Sequence, residues 1–196
     1  MGFSLSRAFR WRHRFLENPA AHQPQHLVGL VEVDETYFKQ SQKGEKGLKG
    51  PRKRGGPGEQ APVLVGRSRG QSYTLDKVLP SMSQAEVAAA LAPCVDPETT
   101  VLVMDSHPTL RQIEKVLNIT SCLFVAGQPQ EGNLHVQAAN SYHERLKSWL
   151  NHRLRGVATK YLPNYLAWQR LRTWNQGSLP AVDYVSSALG LQLINR

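Results

Sequence analysis

Two aspartates close two apolar segments of this chain, and their spacing is the first hint of chemistry. In LVGLVEVDETYF, residues 27–38, Val31 and Val33 fall on one face of a strand, while Glu32 and Asp34 fall on the other. Asp105 directly follows TVLVM, residues 100–104, a continuous apolar run typical of a strand buried on both faces. Functional groups of an open sheet gather at strand carboxyl ends. If the two strands are neighbours, both carboxylates enter one small volume and repel each other. A divalent cation relieves that repulsion. Mg²⁺ takes hard oxygen ligands and keeps several waters that substrate phosphates can replace. Two such ions, about 3.5–4 Å apart, clamp the attacking and leaving oxygens of a phosphoryl transfer. Either aspartate alone is more simply a turn former or helix cap, and Asp105 could cap the helix after it. The pair carries the metal hypothesis.

A second constellation lies on a helix predicted over 137–154. Tyr142, Leu146, Trp149 and Leu150 form its apolar stripe, and Asn140, Glu144 and Lys147 share the opposite face. Glu144 is a possible carboxylate near the metal, although a solvated charge is the simpler account. Glu35 should point away from Asp34. His135 and His143 could assist near the site, without a firm role for either.

The 196 residues carry a formal charge of +9, which favours a polyanionic partner, nucleic acid first. The charge is clustered. Stretch 39–54 is basic and includes Lys49, Arg52, Lys53 and Arg54, in a Gly- and Pro-rich loop that could touch DNA or simply be solvated. Arg153, Arg155, Lys160, Arg170 and Arg172 are expected to track phosphates, between core aromatics Trp149, Tyr161, Tyr165 and Trp168. No apolar run approaches the roughly 20 residues of a membrane span. The basic N-terminus lacks the apolar core of a secretory signal. Cys94 and Cys122 form no C-x-x-C pair, so neither structural zinc nor a disulfide framework is expected, and the compartment should be reducing cytosol.

The elements that must position these groups follow from periodicity. A helix over 5–16 should end at Asn18-Pro19. Strands over 27–38, 62–67 and 71–79 suggest a three-stranded meander. Ser83 to Glu86 is a capping box opening a helix to about Ala92. After the strand at 100–104, Pro108 suits a first helical turn, and Leu110, Ile113 and Leu117 repeat at helical spacing. SCLFV, 121–125, is another buried strand, and a last helix spans about 160–173. The final twenty residues are less patterned. The order β-β-β-α-β-α-β-α argues for an α/β fold, a mixed sheet flanked by helices, of RNase H-like type.

VEVDETYF, the VLVMDS strand end and NSYHERLKSWLNHRLRGVATKYLPNYLAW together resemble the transposases of the IS1595 (ISXO2-like) family, over about residues 5–175. The segment 140–168 is the most specific part. The resemblance implies a DDE-type catalytic core on an RNase H-like fold. It places the family's first two aspartates on Asp34 and Asp105. Its third acidic position, Asn in part of the family, falls on Asn140, and the downstream lysine on Lys147. It further implies Mg²⁺ or Mn²⁺, two ions in all, held by Asp34, Asp105 and Asn140. The implied partners are transposon-end and target DNA, with a homodimer or larger assembly when active. The implied location is prokaryotic cytoplasm, at the nucleoid. Such transposases usually carry a zinc ribbon and a helix-turn-helix upstream. Residues 1–24 are therefore expected to be a remnant of that region, 25–175 the catalytic domain and 176–196 a tail. A truncated, inactive remnant that binds DNA or a partner is the rival hypothesis; another RNase H-like nuclease is a third.

Overall fold

The computed structural model describes residues 2–23, 26–44, 59–71, 73–105, 109–124, 135–174 and 180–191. Lys49, Arg52, Lys53 and Arg54 lie outside them. The chain forms α1 (Leu5–Ala21), β1 (Leu27–Lys39), β2 (Gln60–Ser68), β3 (Thr74–Val78), α2 (Gln84–Leu91), β4 (Val95–Asp105), α3 (Ile113–Leu117), β5 (Thr120–Phe124), α4 (Gln137–Lys147), α5 (Leu162–Trp174) and α6 (Ala181–Ala188). The sheet order is β3-β2-β1-β4-β5. β1, β2 and β3 are an antiparallel meander, and β4 and β5 extend it with parallel pairing beside β1. This is the RNase H-like sheet predicted from the element order.

Alternation along β1 separates two cores. Leu27, Val31 and Val33 pack with Val87 and Leu91 of α2 and Ile113 of α3. Phe38 packs on the other side with Tyr142 and Leu146 of α4 and Tyr165 and Leu166 of α5. Because both faces are covered, a one-residue slip of β1 would drive Glu32 and Asp34 into the α2/α3 core.

Several boundaries differ from expectation. α1 runs through Pro19 to Ala21. Pro19 stands in the last turn of α1, and its carbonyl accepts from the His22 N–H at 3.3 Å and from Arg170 of α5 at 2.7 Å. β1 continues five residues past Asp34, held by β2. The helix expected over 137–154 is α-helical only to Lys147 and continues as a wider π turn over Ser148–Arg153. The final segment holds a helix, α6, which packs on α1.

Arg170 requires a correction. It is 1% exposed and pairs with buried Asp76 of β3, whose other oxygen accepts from the Tyr142 hydroxyl at 2.5 Å. It therefore ties α1, β3 and α5 together inside the protein and cannot track phosphates. Among the described residues no helix is long and apolar enough to cross a membrane.

Candidate functional site

Parallel pairing of β1 with β4 ends at Val33 opposite Met104, and the next residues are Asp34 and Asp105. Adjacent strands lie about 4.8 Å apart. Val103 belongs to the core under α4 and α5, so Asp105, two residues on, projects to that same face, as Asp34 does. Sequence alone suggests that both aspartates end strands. In the structure only Asp105 does; Asp34 sits mid-strand, at the point where β4 stops beside it.

The Asp34 carboxyl is pushed up to about 6. Burial is the main cause, and the negative charges of Glu35 and Asp105 add to it. The Glu35 backbone N–H donates to Asp34 Oδ1 at 2.9 Å and, with the Lys147 charge, opposes the rise. Two carboxylates thus share a partly desolvated volume with one lysine charge. Glu35 lies on the opposite face of β1, as alternation requires, although its charge still reaches Asp34.

α4 crosses above this pair. His143 Nδ1 stands 3.7 Å from Asp34 Oδ2, beyond hydrogen-bond range. Burial, and then the Lys147 charge, push the His143 imidazole down to about 4, so it is neutral at pH 7 and the contact is not an ion pair. Asn140 lies almost one turn before His143 and Lys147 just over one turn after it. Asn140 and Glu144 are exposed and Lys147 is half-buried. The structure thus brings Asp34, Asp105, His143 and Lys147 together and carries Asn140 on the same helix. The sequence gives His143 no firm role. Its position between Asn140 and Lys147, at i+3 and i−4, was the available signal.

Nor does the sequence mark Glu32 as a site residue. It shares a face with Asp34 and is fully buried. Its Oε2 accepts from the backbone N–H of Ala138 at 2.6 Å and of Ala139 at 3.1 Å. Its Oε1 accepts from Arg69 Nε at 2.6 Å. Arg69 also donates to the His135 carbonyl, and the His135 ring lies 3.7 Å from Glu32, at the start of α4 and not beside Asp34.

Beyond the site, Arg153, Arg155 and Lys160 are exposed. Arg155 adopts a left-handed φ of 52°, and Lys43 Nζ holds its carbonyl at 2.6 Å. Lys39, Lys43 and Arg155 rim a cavity of about 380 Å³ floored by Phe38, Leu150 and Leu162.

The donor set fits a divalent metal. Among the described residues no three His, Cys, Asp or Glu side chains converge as a ready cage. Mg²⁺ needs no such cage, because one or two carboxylates plus substrate phosphates suffice. The raised Asp34 pKa reflects burial first, with the charges of Glu35 and Asp105 adding to it, and a bound divalent cation would offset both. Asp34, Asp105 and Asn140 all offer hard oxygens.

Among curated proteins none matches the sequence. The fold is similar to the catalytic core domain of BIV integrase, with 16% identity over 73% of this chain and 82% of that one and a TM-score of 0.42. It is similar to the HTLV-2 integrase catalytic core domain in complex with magnesium, with 12% identity over 88% of each chain and a TM-score of 0.38. It is also similar to the catalytic domain of Mos1 mariner transposase, with 14% identity over 96% of each and a TM-score of 0.35. The ISXO2-like transposase domain matches the sequence over residues 26–173, well over half of the chain, so the chain belongs to that family.

Proposed function

We propose that this chain cuts and joins DNA by divalent-metal-dependent phosphoryl transfer, with residues 25–175 as the catalytic domain. The observation that carries the proposal is the Asp34–Asp105 pair, side by side on one face of parallel strands, with Asp34 raised to about 6 by burial first and then by the neighbouring Glu35 and Asp105 charges. Asp34 and Asp105 would hold Mg²⁺ or Mn²⁺, two ions in this reading, and Asn140 would add a neutral oxygen. Bound metal supplies Lewis-acid stabilisation of the charge that develops on the phosphoryl oxygens.

The chain's own groups orient and exclude. Lys147 holds a phosphate of the DNA end as a point charge. His143, neutral and buried, walls the site on the α4 side and keeps bulk water from Asp34. Arg153, Arg155 and Lys160 track the backbone beyond it, with Lys49, Arg52, Lys53 and Arg54 as further contacts. In the first step water attacks phosphorus and the scissile P–O bond breaks, leaving a 3′-hydroxyl. In the second that hydroxyl attacks a target phosphorus and displaces a second 3′-oxygen. Joining two transposon ends to one target calls for two copies of the chain, at least when active.

The test begins with Mn²⁺ titrated into the parent, Asp34→Ala and Asp105→Ala chains. Binding lost in both variants supports the shared site, and strand transfer into supercoiled DNA, absent in both, completes it. Binding indifferent to both substitutions refutes the proposal and returns the chain to a DNA- or partner-binding role.

A further inference from the structure

Glu32 is a buried acid that the phosphoryl-transfer reading leaves without a task. It is fully buried and both its oxygens are engaged by donors, so it is not a metal ligand. A core ion pair with Arg69 would need only one of them. The other is spent on the two amides of Ala138 and Ala139, in the first turn of α4. Those donors have no partner within a helix. α4 supplies no cap for them either: its N-cap is Val136, which makes no side-chain hydrogen bond. The cap comes from another element, across 106 residues of chain.

From the structure we infer that Glu32 is a positioning residue: by capping α4 from β1 it sets where Asn140, His143 and Lys147 stand over Asp34. The inference rests on the proposed reaction for its consequence and on geometry for its cause. Asp34 is two residues beyond Glu32 on the same face, about 6.8 Å along the strand. His143 is five residues beyond Ala138, about 7.5 Å along the helix. With its start pinned at Glu32, α4 therefore reaches Asp34 at His143, where the 3.7 Å approach is found. Arg69 strengthens the pin from the turn after β2, holding Glu32 with one nitrogen and the His135 carbonyl with another.

The experiment compares Glu32→Gln and Glu32→Ala with Leu91→Ala, which destabilises the core on the far face of the sheet without touching α4. Three readouts are taken: Mn²⁺ affinity, amide exchange at Ala138 and Ala139, and the nuclear Overhauser contact between the His143 ring and Asp34. Glu32→Ala should weaken Mn²⁺ binding by roughly tenfold or more, the usual loss when a group that orients a ligand is removed. It should also deprotect both amides and lose the His143 contact. Glu32→Gln keeps an acceptor oxygen and should recover part of each; it decides the matter if the alanine variant does not fold. Leu91→Ala should change none of the three. Combined with Asn140→Ala, loss of Glu32 should cost less than it does alone, because both act through α4. Parent affinity and parent protection in Glu32→Gln and Glu32→Ala would overturn the inference. If the parent itself takes up no Mn²⁺, the phosphoryl-transfer reading falls. The amide and His143 readouts then decide the positioning role by themselves, retention in the variants counting against it.

Discussion

Replacing Asp34 by Asn should stabilise the metal-free protein at neutral pH. The folded state raises this carboxyl from 3.8 to about 6, chiefly by burial. Each unit is about 1.4 kcal/mol, so about two units make the ionised carboxylate cost about 3 kcal/mol. Because the folded pKa is raised, this stabilisation is fully present below pH 3.8 and is lost as pH rises through about 6. His143 has the opposite sign. Its imidazole falls from 6.5 to about 4, so its contribution is present above pH 6.5 and is lost as pH falls through about 4. The two windows overlap, and in the parent they largely cancel between pH 4 and 6.5. Asp34→Asn removes one of them. In chelator at pH 7.5 the variant should be more stable by about 3 kcal/mol, a rise of about 6–12 °C in Tm for a chain of this size. On acidification from pH 6.5 to 4 it should lose stability that the parent keeps. Mn²⁺ at about 100 times its Kd should add about 2.7 kcal/mol to the parent and nothing to the variant. Denaturant unfolding over pH 4–8, with and without Mn²⁺, measures all three. A variant no more stable than the parent at pH 7.5 in chelator would refute the claim that Asp34 is held against its own charge.

Asn140→Asp adds a charged oxygen at the neutral position of the site, so Mn²⁺ affinity by calorimetry should rise, on the order of tenfold. His143→Gln removes the imidazole that opposes Asp34 in pH dependence, so between pH 4 and 6 its stability should fall with rising pH, the reverse of Asp34→Asn. Arg153→Gln, Arg155→Gln and Lys160→Gln together should flatten the slope of log affinity against log salt for duplex DNA by up to about 2.7, and an unchanged slope would remove these groups from the DNA surface. Arg170→Met strands the Asp76 charge in the core and should cost about 3–5 kcal/mol in unfolding experiments while leaving that slope unchanged.

The sheet strands and the two aspartates beside one another on them were legible because both write themselves into local pattern. Val31 and Val33 alternate with Glu32 and Asp34, and TVLVM runs unbroken into Asp105, so both strands and the face of Asp34 are readable from pattern, whereas the end of β1, five residues past Asp34, is not. The helix bearing Asn140 and Lys147 was legible through its apolar stripe, and the family through the segment 140–168 that begins on it and runs into α5. Tertiary structure alone decided how these pieces meet. Arg170 has the composition of a phosphate contact and is an internal ion partner, because Asp76 of β3, 94 residues away, faces it. His143 is marked in the sequence only by its spacing from Asn140 and Lys147, and Glu32 not at all, because the α4 amides that Glu32 caps and the carboxyl that His143 approaches become their neighbours only after folding. Pattern records which way a side chain points within its own element. Burial, and with it the pKa values of Asp34 and His143, depends on what another element lays across that face.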